Sequence, residues 1–221
     1  MRRSILVVGA AVVALAAAVA GPACAGSSER IAKVLADRSG EAWFDPKDKE
    51  NCERQAGLPW CVAPGVVQAR AAGQGASEDA QLVAWAEKVA RASWRTPDPK
   101  NNPEHWESFA DRALAGKAWV GDCDNLTFTV LDLLARQGFP VERMYRVQRP
   151  TKNPSIYHMV GMVQLSDGRY FIVGDAANAD DAAYEVPADW PVSSFNHVTE
   201  GTTWFDVSPA NLKVASLGGG R

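Results

Sequence analysis

Apolar and polar positions along the chain change period twice, and those changes divide it into parts. Ile5 to Ala20 is an unbroken apolar run holding one glycine. From Ala76 a three-to-four-residue stripe begins, carried by Leu82, Trp85, Ala86, Val89 and Trp94 and preceded by the capping sequence Ala76-Ser77-Glu78-Asp79. That pattern predicts a helix. Residues 104–114 predict a second one, with Trp106, Phe109 and Leu114 on one face. Leu126, Val130, Leu133 and Leu134 then recur at i, i+4, i+7 and i+8, ending at Gly138 before Pro140, the pattern of an amphipathic third helix.

Beyond Pro140 the period becomes two. Residues 141–147, 156–165 and 169–174 read as strands, and Ser166-Asp167-Gly168 between the last two is a hairpin signal. With Asp167-Gly168 as a two-residue turn, Ser166 faces Arg169 and His158 faces residue 177. His158 and Asp175 then share a sheet face, one diagonal step apart; a three-residue loop would separate them. Residues 37–75 and 176–212 are irregular and rich in Gly, Pro and charge. Trp43, Phe44 and Trp60 are expected to pin the first of these to the body, and Trp190, Phe195 and Trp204 the second. The helices preceding an antiparallel hairpin predict an α+β fold.

Composition adds limits. The 221 residues suffice for one domain with a real core, and 47% apolar with 22% charged residues is the balance of a soluble globular protein. Arg2-Arg3, the apolar run and Ala23-Cys24-Ala25 form the three parts of a secretory signal, so residues 1–25 are expected to be removed and the mature chain to begin at Gly26. Lipidation at Cys24 is disfavoured by its lead-in, Gly21-Pro22-Ala23. The run is too short for a span and no second one follows, so no stable membrane insertion is expected after signal removal. Losing Arg2 and Arg3 leaves 21 basic against 26 acidic residues, a net charge of −5. A mildly acidic chain without a basic run excludes nucleic acid as a partner.

Export makes the cysteines informative. Cys52 and Cys61 flank the turn-forming Gly57-Leu58-Pro59, and an oxidising compartment would let them close a small loop. Cys123 is then the odd thiol. It stands in Gly121-Asp122-Cys123-Asp124-Asn125 at the head of the third predicted helix. Unpaired N–H groups and the helix dipole there are expected to lower its pKa, and Asp122 or Asp124 can cap the helix. A thiol nucleophile needs a base, and the base an orienting carboxylate; His158 and Asp175 have the right types and positions. His105 and His197 are expected to be surface residues.

Gly121-Asp122-Cys123-Asp124-Asn125, the downstream His158-Met159-Val160-Gly161-Met162-Val163, the Asp167-Gly168 turn and Phe171-Ile172-Val173-Gly174-Asp175 resemble the bacterial transglutaminase-like cysteine proteinases, the LapG-like periplasmic proteases. The likeness runs from about Leu82 to Asp175, and weakly to Trp204. It implies a papain/transglutaminase-like fold, with a nucleophile helix packed on an antiparallel sheet. It implies a catalytic triad of Cys123, His158 and Asp175, acting on a peptide or amide bond of a protein or peptide substrate, such as a cell-surface protein. It also implies a calcium ion held by Asp122 and Asp124, and an indole N–H from an upstream Trp (Trp85 or Trp106) at the oxyanion. The family motif reads Gly-Asp-Cys-Glu-Asp, so this chain departs from it at Asp124 and at the uncharged Asn125. It departs again at Gly174-Asp175-Ala176, where the family has Leu-Asp-Asn. Domain bounds follow: signal 1–25, an N-terminal segment 26–75 with the disulfide, a proteinase domain 76–212, and a flexible tail 213–221. An acyl transferase using the same triad, or a catalytically idle binding module of the cell envelope, are the alternatives.

Overall fold

In chain order the computed structural model contains α1 (Pro22–Ala36), β1 (Ala42–Phe44), α2 (Pro46–Arg54), α3 (Ala76–Ala92), β2 (Trp94–Arg95), α4 (Ala110–Leu114), β3 (Trp119–Val120) and α5 (Cys123–Arg136). There follow β4 (Met144–Pro150), β5 (Tyr157–Gln164), β6 (Tyr170–Val173), β7 (Tyr184–Glu185), β8 (Ser194–His197) and β9 (Thr203–Asp206). The structure describes residues 22–62, 75–97, 106–153, 156–178, 180 and 182–208. The expected signal up to residue 21, the flexible tail and His105 lie outside them. No helix of the described residues is long and apolar enough to cross a membrane.

Seven strands form one antiparallel sheet in the order β1-β9-β8-β4-β5-β6-β7. Alternation along β5 serves two cores. Met159 and Val163 join Leu126, Val130, Leu133 and Leu134 of α5, whereas Val160 and Met162 join Ile31, Val34 and Leu35 of α1. Gly161 carries no Cβ where α5 crosses, and one built there would stand 2.6 Å from Val173 and 3.1 Å from Leu131. The helix can therefore lie close on the sheet. The fold is a mixed helix and antiparallel-sheet protein, as α+β requires.

Several local expectations need correction. Residues 42–54, expected to be irregular, form β1 and α2. β1 pairs with β9 through Trp43↔Trp204, and Asp45 caps α2 by accepting the Lys47 N–H at 2.8 Å. α3 has Gly75, not Ser77, at its N-cap. The helix expected over 104–114 shrinks to α4, and Leu114 is 48% exposed. β8 and β9 lie within a stretch expected to be loops, although Trp190, Phe195 and Trp204 are buried as anticipated. Cys52 and Cys61 are disulfide-bonded.

One interaction ties the N-terminal segment to the sheet. Arg146 of β4 and Asp48 of α2 are both fully buried and joined by an ion pair. The guanidinium also donates to Asn196 Oδ1 (2.8 Å) and to the Gly201 carbonyl (3.1 Å). It lies 5.0 Å from the ring centres of both Trp60 and Trp204. Asp48 accepts the Trp204 indole N–H at 2.6 Å. Each nitrogen of the guanidinium and each oxygen of the carboxylate has a partner, which a buried charge demands.

Candidate active site

The head of α5 is built by local chemistry. Asp122 is the N-cap and forms a capping box with Asn125, whose side chain accepts the Asp122 N–H at 3.2 Å. Asn125 also donates to the Glu107 carbonyl at 3.1 Å. The residue that departs from the family motif thus serves as half of the cap. Gly121 permits this: a Cβ there would stand 2.5 Å from that of Asn125. One turn into the helix, Thr127 Oγ1 lies 3.3 Å from the carbonyls of Met159 and Gly174. That hydroxyl fastens α5 to β5, which carries His158, and to the segment just after β6, which carries Asp175.

His158 Nε2 lies 2.7 Å from Asp175 Oδ1, and both side chains are largely buried, at 13% and 4% exposure. They meet by a different route from the one expected. The hairpin has a three-residue loop closed by Leu165 N–H→Arg169 O, and Gln164 faces Tyr170, so a regular ladder would put His158 opposite residue 176. β6, however, stops at Val173. Gly174 adopts φ +65°, in the left-handed region, which breaks the alternation and turns Asp175 toward the ring.

Asp175 is held on every side. Its Oδ2 accepts the Tyr184 hydroxyl at 2.6 Å, and its Oδ1 accepts the Ala177 N–H at 2.9 Å. Arg91 Nη2 donates to its carbonyl at 2.8 Å. Glu87 pairs with Arg91 at 2.8 Å and accepts the Gly174 N–H. Burial alone would raise the Asp175 carboxyl. The hydrogen bonds from His158 and Tyr184 outweigh it and hold the group well below the usual carboxylate range. Sequence reasoning missed Glu87, Arg91 and Tyr184. The first two left a trace, an i,i+4 acid–base pair within the stripe of α3; Tyr184 left none.

Cys123 differs from expectation. Instead of being lowered by the helix head, its thiol is pushed up to about 12, mainly by burial. A hydrogen bond from the Met159 main chain opposes this, and the charges of Asp124 and Asp122 add to it. The helix dipole is worth a fraction of what burial takes away. Among the described residues no hydrogen bond joins Cys123 to His158. They are linked through Met159, the neighbour of His158 in β5. The thiol opens on a cavity of about 270 Å³ whose walls include Asp45, Lys47, Trp106, Gln148 and Met159. Of the two upstream tryptophans, Trp106 is the one that lines it. His197, expected to be a surface residue, bonds the Glu142 carbonyl through Nε2 at 3.0 Å.

No family model and no curated protein matches the chain. Solved structures of LapG from Legionella pneumophila are similar to it. The calcium-bound form aligns at TM-score 0.41 and 14% identity, over 86% of this chain and 98% of that one. Another LapG structure aligns at 0.40 and 16%, over 87% and 92%. The EGTA-treated form aligns at 0.38 and 15%, over 76% and 81%.

Proposed function

We propose that the chain is an exported cysteine peptidase of papain/transglutaminase-like fold, with Cys123 as nucleophile, His158 as general base and acid, and Asp175 as the carboxylate that orients it. The observation that carries the reading is the 2.7 Å His158–Asp175 contact beside a helix headed by a cavity-lining thiol. With Nε2 committed to Asp175, the other ring nitrogen is the one to take the proton. That proton leaves Sγ as the sulfur bonds to the substrate carbonyl carbon and the carbonyl electron pair moves to oxygen. The Cys123 N–H at the head of α5 and the Trp106 indole N–H are the donors suited to that oxyanion. As the C–N bond breaks, the imidazolium protonates the departing amine and a thioester remains. Water then gives a proton to His158, attacks the thioester and releases the acid, and the sulfur regains its proton.

A thiol raised to about 12 is neutral at rest, so the base is indispensable. The same two facts, the high thiol pKa and the missing Cys123–His158 hydrogen bond, are what favour the second reading, an idle binding module. Iodoacetamide labelling of Cys123 from about pH 5 to about pH 10, in wild type and His158→Ala, separates the two. A peptidase labels near neutrality in a His158-dependent way. Identical profiles, rising only at alkaline pH, refute it.

One of the similar LapG structures is calcium-bound. Here Asp122 and Asp124 are the carboxylates that would face such an ion. Asp122 also caps α5, and among the described residues no group of three His, Cys, Asp or Glu gathers to hold a metal. Calcium takes six to eight oxygens from carboxylates, carbonyls and water, so these two carboxylates would supply part of its shell. Iodoacetamide labelling repeated with EGTA and with added calcium tests that site, and a rate unchanged by both removes it.

A further inference from the structure

We propose that the Cys123 cavity continues into a subsite for a lysine or arginine side chain of an extended substrate segment, an inference that rests on the peptidase reading. A second cavity, of about 550 Å³, shares Asp45, Gln148 and Tyr157 with the first. The two therefore lie side by side, with these three residues common to their walls. The walls of the second cavity carry Glu41, Asp45 and Asp206 and no lysine or arginine. Trp43, which stacks on Trp204 and donates its indole N–H to Asp206 Oδ1 at 2.9 Å, and the half-exposed Tyr157 line the cavity beside those carboxylates. Carboxylates flanked by aromatic faces suit a cation on an apolar stem.

One of the side chains common to both cavities is a buried amide. Gln148 is only 8% exposed, yet lines both cavities. Its Oε1 accepts the Ser194 hydroxyl at 3.0 Å. Its amide nitrogen, Nε2, carries two N–H donors. A peptide carbonyl of a segment passing between the two cavities would be a suitable acceptor for them. Gln148 thus holds the backbone of the segment, and the Glu41, Asp45 and Asp206 carboxylates select its side chain.

The test uses tripeptidyl chloromethyl ketones of alanine in which lysine, leucine or glutamate is walked through the three positions, with inactivation rate as the readout. At one position the lysine probe is expected to react about tenfold faster than the leucine probe, and the glutamate probe slower than both. The lysine preference should shrink as salt is raised in the wild type, and approach parity in a Glu41→Gln/Asp206→Asn variant. Equal rates for lysine and leucine at every position, or a preference untouched by both salt and the variant, overturn the subsite. Iodoacetamide run alongside keeps the two ideas apart. His158-dependent labelling with no lysine preference removes the subsite and leaves the peptidase. His158-independent labelling removes the peptidase, and the lysine-to-leucine ratio still decides the subsite, because these ketones alkylate any accessible thiol.

Discussion

Truncating Asp48 to alanine should cost about 4 kcal/mol, a large share of the roughly 5–15 kcal/mol that holds a domain folded. Asp48 is fully buried, pairs with a fully buried Arg146 and accepts the Trp204 indole N–H. Asp48→Ala leaves a guanidinium uncompensated among Trp60, Phe128 and Trp204. Breaking one side of such a pair costs about 3–5 kcal/mol, and the orphaned indole N–H lies within that figure. Replacing both partners should be milder. Asp48→Leu/Arg146→Met removes both charges together, and Asn196 keeps its own donor bonds to Gly201 and Thr203. The double variant should therefore recover at least about 1 kcal/mol relative to Asp48→Ala, a coupling that pairwise cycles measure. Urea unfolding followed by tryptophan fluorescence reads both effects. With a slope near 2 kcal/mol/M, Asp48→Ala shifts the midpoint by about 2 M. A loss below about 1.5 kcal/mol, or a double variant as costly as its two single truncations combined, would show that the pair does not anchor the N-terminal segment.

Two further outcomes follow from the site. Gly174→Ala puts a side chain on a residue at φ +65° and sets a Cβ 2.6 Å from the Thr127 Cα. The clash is with backbone and the angle disfavours any side chain, so the variant should lose about 2 kcal/mol or more in urea unfolding. It should also slow Cys123 labelling, and wild-type behaviour in both measurements would contradict the account of how Asp175 reaches His158. The raised thiol has a linked effect on stability. A group whose folded pKa lies above its unfolded value stabilises fully below the unfolded value, near 8.5, and the benefit is lost as pH rises toward the folded value of about 12. Between pH 8.5 and 10 wild type should lose about 2 kcal/mol more than Cys123→Ala. Parallel curves would mean the thiol is not buried as described.

Local chemistry was readable from the chain, and long-range geometry was not. The head of α5 could be seen because Gly121, the Asp122 cap and the apolar stripe lie within one short stretch. The hairpin could be seen at Asp167-Gly168, but a turn dipeptide does not say whether the loop holds two residues or three. The expected His158–Asp175 pairing is present only because Gly174 compensates for the different register, and that glycine reads in sequence as an ordinary strand end. β8 and β9 escaped because each has four residues with polar members such as Asn196, which is buried for its bonds to Arg146 and to the Gly201 and Thr203 carbonyls. β1 and α2 escaped because their partners lie about 100 residues or more away. The thiol was misjudged because position at a helix head is local, whereas burial is set by everything packed above it.

That burial has a consequence for how the chain matures. Disulfides form and exchange through the thiolate, so a thiol near pKa 12 presents almost none of the reactive form at neutral pH. Exported as proposed, the chain would have to join Cys52 to Cys61, nine positions apart, without capturing Cys123. Before α5 docks, all three sulfurs are comparable competitors. Once it docks, Cys123 withdraws from the competition and any mispaired bond can still resolve toward the short loop. The desolvation that holds the sulfur neutral would also spare it during oxidative folding.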